Sequence, residues 1–300
     1  MPDLIELVEV TYEGRKDMWE VILDQSKLFL GSIEEEVMLD TDQNRQRYII
    51  KVGNKPVGGF SLKGNHIITL MIEPCYEREE FLTNLVKIFE QLVNDRNKLQ
   101  VHGPETLALP LQPLGFKKKV QRYRMTLDLS QYNPPSLERR SDVTRIIQPS
   151  DLFNCAEVIV DGYKGTVDEA LFGKENASPE QEVKDLETLY TNLNKEFRLI
   201  EKASLLHEDI TKKQILGIVI STLWFGIPLI YDLVVKRSVQ GQGVGRRLME
   251  EGLTELRSLG YPQVALFVTE GNEGAIRLYH SLGFIKDTIN MASFERESAS

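Results

Sequence analysis

Three glycines fall within five positions of the stretch VQGQGVGRRL, Val239 to Leu248, between the apolar run PLIYDLVV and a segment with helical periodicity. That order constrains the fold more than any other feature of the chain. A buried strand must end there, the backbone must turn where side chains are missing, and a helix must begin at once. Such a junction aims the N–H groups of the turn and of the first helical residues at one point, where the helix dipole also favours negative charge. A Walker A loop needs a lysine and a hydroxyl residue after its last glycine, and Arg246 and Arg247 stand there instead. A dinucleotide fingerprint counted from Gly241 needs a glycine where the chain has Arg246. What remains is a Gln-x-x-Gly-x-Gly turn formed by Gln240, Gly243 and Gly245, with Gly241, Gln242, Val244 and Arg246 completing an anion cradle built of backbone.

The residues after the turn fit a surface helix over Gly243 to Leu259. Val244, Leu248, Met249, Leu253, Leu256 and Leu259 fall on one half of it, and Arg246, Arg247, Glu250, Glu251 and Arg257 on the other. Upstream the pattern predicts a helix from Ser150 to Tyr163, an acidic helical insert around Pro179 to Leu193, and strand-like runs EFRLIEKASLL and QILGIVISTLWF. Downstream come the strand QVALFV, a helix from Glu273 to Leu282 and terminal strands. Strands alternating with helices after a meander predict an α/β fold, a mixed sheet covered by helices.

The first half follows the same plan. HIITLMIEP reads as a strand, REEFLTNLVKIFEQLVND as an amphipathic helix with Phe81, Leu85, Ile88 and Leu92 on its apolar stripe, and LQVHG as a further strand. PLGFKKK then echoes SLGFIKD of the second half. Two units with one order of elements point to a tandem duplication, against the alternative of two unrelated α/β units sharing a short string. The segment SQYNPPSLERRSD reads as a linker, which divides the chain into a domain at 1–135, a linker at 136–142 and a domain at 143–300. Two joined copies can supply each other's packing, so a monomer or weak dimer is expected.

A net charge of -9 at pH 7 argues against nucleic acid as a partner, since phosphate backbones demand basic surfaces. No apolar run approaches the roughly 20 residues of a membrane span, and the N-terminal sequence lacks the pattern of a signal peptide, so no membrane association and a cytoplasmic location are expected. Cys75, Cys155 and the histidines His66, His102, His207 and His280 show no metal-ligand spacing, so no metal is expected.

Further on, VTEGNEGAIRLYHSLGF carries Asn272, Ala275, Leu278, Tyr279, Gly283 and Phe284 in the order Asn-x-x-Ala-x-x-Leu-Tyr-x-x-x-Gly-Phe. With the glycine turn ahead of it, the second half resembles the GCN5-related N-acetyltransferase (GNAT) superfamily, and the first half resembles it in element order only. The resemblance implies two tandem GNAT-like domains, each a mixed, mainly antiparallel sheet flanked by helices, and acetyl-coenzyme A (acetyl-CoA) as cosubstrate. It implies pyrophosphate on the turn from Gln240 to Arg246. It places the pantetheine arm in a gap beside Leu233, Val234 and Val235, bonded through the backbones of Leu233 and Val235, with Asn272 and Ala275 on the far wall. Tyr279 would be the acid that protonates the leaving thiolate, and a backbone N–H near Val235 would polarise the thioester carbonyl.

The base is left open by the sequence. Asp232 is the one charge in PLIYDLVV and is nominated by that anomaly, against a structural acid bonded to a neighbouring loop. The amine could also lose its proton to water, with Glu270 as another candidate. Acceptor walls are expected from the stretch DGYKGTVDEALFGKENASPEQEVKDLETLY, where Asp161, Asp168 and Glu169 either attract a cation or form a solvated face. The first half departs from the family at the turn. EPCYEREE has no glycine and crowds Glu73, Glu77, Glu79 and Glu80 at the helix start, where they repel phosphate. It also lacks counterparts of Asn272 and Tyr279. The implied activity is N-acetyl transfer to a primary amine of a small molecule or peptide by a catalytic second domain, with a degenerate first copy. The alternative is a non-catalytic module that binds acetyl-CoA or CoA and regulates a partner.

Overall fold

The computed structural model describes residues 4–25, 45–133, 143–171, 174, 177–191, 197–224 and 226–296. The chain divides into two compact units, one formed by Met1–Tyr123 with Thr288–Ser300 and the other by Arg124–Asp287. This differs from the boundary expected from the proline-rich segment, and the expected linker at 136–142 lies outside the described residues. The reason is strand pairing, which ignores sequence distance. The last strand ends in the first unit, where Met291 to Glu295 pair antiparallel with Gln100 to Pro104.

In the first unit, strands β1 (Ile5–Glu9), β2 (Gln46–Val52), β3 (Lys55–Lys63) and β4 (His66–Ile72) form an antiparallel meander. β5 (Gln100–Pro104) then lies parallel to β4. Helix α1 (Arg15–Gln25) precedes the meander's second strand, and α2 (Glu79–Leu92) links β4 to β5. The buried face of α2 is Phe81, Leu82, Leu85, Val86 and Phe89, which join Tyr48, Ile50, Phe60 and Leu70 in one core. Ile88 and Leu92 of the expected stripe are only half-buried, because the true stripe is rotated by one position.

The strand β6 (Phe116–Asp128) leads into the second unit, where β7 (Val143–Ile146), β9 (Leu205–Asp209), β10 (Gln214–Trp224) and β11 (Ile227–Val235) pair antiparallel in the order β7, β9, β10, β11. β12 (Gln263–Thr269) is parallel to β11. EFRLIEKASLL, expected as one strand-like run, is two strands: β8 (Phe197–Leu199), which pairs with β10, and the start of β9, separated by a turn at Glu201–Ala203.

Helices α3 (Leu152–Tyr163), α4 (Val167–Leu171) and α5 (Pro179–Thr191) precede the meander, and α6 (Val244–Ser258) and α7 (Glu273–Ser281) follow its last two strands. The buried face of α6 is Leu248, Met249, Gly252, Leu253 and Leu256, whereas Leu259 caps the helix and stays 39% exposed. Gly217 of β10 admits this helix: a Cβ there would meet Leu248 Cδ1 at 3.0 Å and Val244 Cγ1 at 3.1 Å.

The LGF echo has one cause in both units. Gly115 and Gly283 adopt left-handed φ values of 81° and 95° and end a helical segment before a strand begins with Phe116 or after Phe284. In the second unit Phe284 N–H reaches the Tyr279 carbonyl at 3.0 Å, the long bond of a Schellman ending. Among the described residues no helix is long and apolar enough to cross a membrane.

Helix α3 and β11 meet at Gly162, where a Cβ would lie 2.2 Å from Val234 Cγ1 and 3.0 Å from the Val235 carbonyl oxygen. Overpacking so close a contact costs about 1–3 kcal/mol. Gly162→Ala is therefore expected to lower unfolding free energy in urea by that amount. An unchanged midpoint would show that the helix can withdraw freely from the strand.

Candidate active site

The parallel register between β11 and β12 consists of Leu229↔Ala265 and Ile230↔Leu266. β11 continues to Val235 and β12 to Thr269 beyond it. At the same level β11 carries one extra residue. Ser221 pairs with Ile230 and Ile220 with Asp232, so Tyr231 is a bulge. Past the bulge, strand alternation sets two faces. Val234, and with it Asp232, faces α3, as the approach of Gly162 to Val234 requires, while Val235 faces α6, its Cγ2 being 3.4 Å from the Cβ position of Gly245.

The main chain alternates too. Lys236 N–H donates to the Leu216 carbonyl of the β10 side at 2.9 Å. Leu233 and Val235 accordingly turn their peptide groups towards the β12 side.

The glycine turn follows a single turn of helix at Arg237–Val239. Gly241 and Gly243 have φ of 75° and 89°, and a Cβ at either would meet nothing within 4 Å. The space in front of them is open. Gly243 is the N-cap of α6 and no side chain caps that end. Arg247 N–H makes the first turn's bond to the Gly243 carbonyl at 3.0 Å. The N–H groups of Val244, Gly245 and Arg246 precede it, and the geometry of any α-helix gives them no acceptor within the helix. Three donors thus converge beside two left-handed glycines.

The side chains of the turn are used otherwise. Gln240 Nε2 donates to the Val235 carbonyl at 3.0 Å, and Gln242 Nε2 to the Ser238 carbonyl at 3.2 Å. Arg246 reaches Glu250 Oε1 at 3.2 Å and also bonds Ser281 Oγ. It lines an open cavity of about 1090 Å³ with Tyr132, Glu250 and Gln263, a space that contains neither Asp232 nor Tyr279. The side chains of these residues close the turn while the backbone points outward.

Asp232 is half-buried, and Tyr163 at the end of α3 donates its hydroxyl to Oδ1 at 2.9 Å. Burial pushes the Asp232 carboxyl up to about 6, against the opposing pull of the Tyr163 hydrogen bond and the Lys174 charge. Lys174 Nζ lies 2.6 Å from both carboxylate oxygens of Glu182 and 5.4 Å from the centre of the Tyr163 ring. Tyr163, Lys174 and Glu182 fall in the stretch expected to wall the acceptor, but no pattern there distinguished them. Their partner is 69 positions away in sequence from Tyr163.

Asn272 caps α7, its Oδ1 accepting from Ala275 N–H at 3.2 Å. Its Nδ2 donates to Asp168 Oδ2 at 3.0 Å, and Thr269 Oγ1 donates to Asp168 Oδ1. Asp161 holds Arg237 through its backbone N–H at 2.8 Å, and Glu169 accepts from Gly165 N–H at 2.7 Å. The acids expected either to attract a cation or to form a solvated face therefore tie loops together. Tyr279 is buried on α7 with its ring 5.9 Å from that of Phe284, and Glu270 is exposed.

Two features of the first unit differ. The strand–turn–helix plan is kept: β4 carries its own bulge, with Thr69 and Leu70 opposite Phe60, its register with β5 is His66↔Gln100 and Ile67↔Val101, and a helical turn at Pro74–Tyr76 follows. Glu77 and Arg78, however, stand where the second unit has Gln240 to Gly243, and burial raises the carboxyl of Glu77. The gap beyond the register is also closed. A Cβ on Gly103 of β5 would lie 2.7 Å from the Leu70 carbonyl oxygen and 2.8 Å from Leu107 Cδ1.

A carboxyl that resists ionisation destabilises the fold once it is charged. With its value raised from 3.8 to about 6, Asp232 binds protons more tightly folded than unfolded, so stability falls as pH rises through that window and stays low above it. Allowing for its partial contact with water, the loss is on the order of 1–2 kcal/mol. Asp232→Asn is expected to raise the midpoint of urea unfolding at pH 7, with the gain vanishing below about pH 4. A destabilised variant at pH 7 would mark Asp232 as structural.

The acetyltransferase (GNAT) family model matches residues 174–284. A mycothiol acetyltransferase of Thermobispora bispora is 45% identical over 62 residues, which are 21% of this chain and 21% of that protein. One of Nocardiopsis dassonvillei is 45% identical over 71 residues, 23% of this chain and 22% of that protein. These matches thus span about a fifth of the curated relatives' length. Among solved structures, a GCN5-related N-acetyltransferase from Sphaerobacter thermophilus superposes with a TM-score of 0.72 at 17% identity, covering 98% of this chain and 97% of that one. A tandem GNAT protein from the clavulanic acid biosynthesis pathway gives 0.67 at 16% identity, covering 99% and 100%. Residues 174–284 belong to the acetyltransferase (GNAT) family, and the whole chain has the fold of GNAT proteins of known structure.

Proposed function

We propose that the second unit transfers the acetyl group of acetyl-CoA to a primary amine of a small molecule or peptide, and that the first unit is a degenerate copy that binds no cosubstrate. One observation carries this reading: the anion cradle at Gly243–Arg246 and the open edge of β11 meet at Val235, where the Gln240 amide joins them. A ligand with a pyrophosphate at one end and an amide-bearing arm at the other fits that continuity. The cradle offers N–H donors and the helix dipole, and the peptide groups of Leu233 and Val235 offer strand-like bonds. Asn272 and Ala275 would form the opposite wall, with the Asn272 side chain serving the loop as well. The matches to proteins named mycothiol acetyltransferase support acetyl transfer as the reaction class, and the acceptor is proposed only as an amine.

Acetyl-CoA supplies an activated thioester, which an amine converts to an amide with release of a thiol. The chain's own groups then have defined tasks. Asp232 takes a proton from the acceptor ammonium, for which a carboxyl raised to about 6 is better suited than an ordinary aspartate. Val235 N–H polarises the carbonyl as new negative charge develops. Tyr279 places its hydroxyl where the thiolate departs and gives it a proton. In the first unit Glu77 lies at the turn and the Gly103–Leu70 contact occupies the gap, so neither half of the ligand has a place.

Calorimetric titration is expected to give one acetyl-CoA per chain, abolished by Gly243→Glu, which puts a side chain and a negative charge at a left-handed position facing phosphate. Two sites, or binding unaffected by the substitution, would contradict the assignment. Because Asp232 must be ionised to act, kcat/KM is expected to fall as pH drops through about 6. Tyr279→Phe keeps the ring and removes the donor. It is expected to leave acetyl-CoA affinity nearly unchanged and to slow single-turnover acetyl transfer by about 10²-fold. Transfer at the wild-type rate would remove Tyr279 from the mechanism.

A further inference from the structure

We infer that Tyr163 and the Lys174–Glu182 ion pair form a positioning device that fixes Asp232 Oδ1 and sets how tightly Asp232 holds its proton. The inference rests on the reading of Asp232 as the base, and three observations support it. First, the approach of α3 to β11 is imposed by Gly162, so the adjacent Tyr163 is brought to the strand by backbone packing and its hydroxyl meets Oδ1 at 2.9 Å. Second, both ends of Tyr163 are engaged, the hydroxyl by Asp232 and the ring by the Lys174 ammonium at 5.4 Å. Third, Glu182 is 4% exposed and grips Lys174 with both oxygens at 2.6 Å. Carboxylate, phenol, ammonium and carboxylate thus form a chain that begins at the bulge of β11.

A buried ion pair of this kind adds little stability over an apolar pair of the same volume. Its place beside Asp232 gives it another consequence. A cation free to settle on Asp232 would hold the carboxylate ionised with a low proton affinity, and such a group is a poor base. Glu182 keeps the Lys174 charge engaged at a distance and adds its own negative potential, while Tyr163 supplies a neutral hydrogen bond that orients Oδ1 and leaves the second oxygen for a substrate proton. The charged and titratable groups acting on Asp232 are Tyr163 from α3, Lys174 from the segment after α4 and Glu182 from α5, with the Leu233 N–H from its own strand. Tyr163, Lys174 and Leu233 N–H favour the ionised form, and Glu182 opposes it.

The device predicts shifts of opposite sign, which a merely structural role does not. Tyr163→Phe removes a bond to the carboxylate and should raise the Asp232 midpoint by about one pH unit. Glu182→Gln removes the neighbouring negative charge and frees Lys174, and should lower it by a similar amount. The midpoint is read without substrate, by carboxyl NMR titration of aspartate-labelled full-length protein, with Asp232→Asn assigning the resonance. Opposite shifts support the device, and an unmoved midpoint or shifts of the same sign overturn it. Tyr163→Phe keeps the ring and carries the test alone where Glu182→Gln does not fold. The acidic limb of kcat/KM, measured on the same variants, separates the two claims. If the NMR midpoint moves as predicted and the limb stays fixed, the device stands and Asp232 is not the base.

Discussion

Everything at the candidate site depends on how little of β11 and β12 is paired. Two residue pairs, Leu229↔Ala265 and Ile230↔Leu266, hold the strands together, and a single bulged residue, Tyr231, then changes the alternation of β11. Main-chain groups beyond that point retain their hydrogen-bonding capacity, and buried peptide groups are costly to leave unmet. The same one-residue displacement brings Asp232 and Val234 to the α3 face and leaves Leu233 and Val235 with peptide groups turned to the β12 side. In the proposed function, chemistry and binding are therefore set by one irregularity in one strand. The glycine turn is its continuation: β11 cannot hand over to α6 without a short path, and the left-handed Gly243 provides it while leaving the first helical N–H groups uncovered.

The first unit shows what the irregularity does when the surrounding residues change. It keeps the bulge, the two-pair parallel register and the helical turn after the strand. It loses the left-handed glycines and fills the gap with the Gly103–Leu70 approach and the Leu107 side chain. Leu107 itself belongs to a core of more than twenty apolar residues, so the filled slot contributes hydrophobic burial that an open slot would forgo. On this reading the first unit has exchanged a ligand site for packing, at the cost of a partly buried carboxyl on Glu77.

Local features were legible from sequence and long-range ones were not. The helix after the glycines, the strand PLIYDLVV and the helix from Glu273 follow from periodicity and from capping by Gly243, Asn272 and Gly283, all of which act within a few residues. Asp232 was visible because a lone charge in an apolar strand is anomalous. Tyr163 was not, since an aromatic residue ending an amphipathic helix looks like core, and its meaning comes from a strand far along the chain. Lys174 and Glu182 were hidden by an acidic, polar context in which any lysine and glutamate could pair. The division into compact units was hidden for the same reason, as the C-terminal strand returns to pair with β5 and no composition shift records it. Gln240 and Arg246 were expected as the ends of a cradle built of backbone, and no spacing told what their side chains would bond. The structure turns their side chains to the strand end, to Glu250 and to Ser281, and presents backbone at the turn.

The central claim is that one slot, in the second unit, receives acetyl-CoA along β11 and the start of α6. Amide hydrogen exchange of the full chain with and without acetyl-CoA tests it most directly, because it reports the very peptide groups assigned to the ligand. The account predicts slowed exchange across Leu233 to Arg246 and no change across Ile68 to Glu80. Protection of the first-unit segment, or unaltered exchange from Leu233 to Arg246 under saturating ligand, would contradict it.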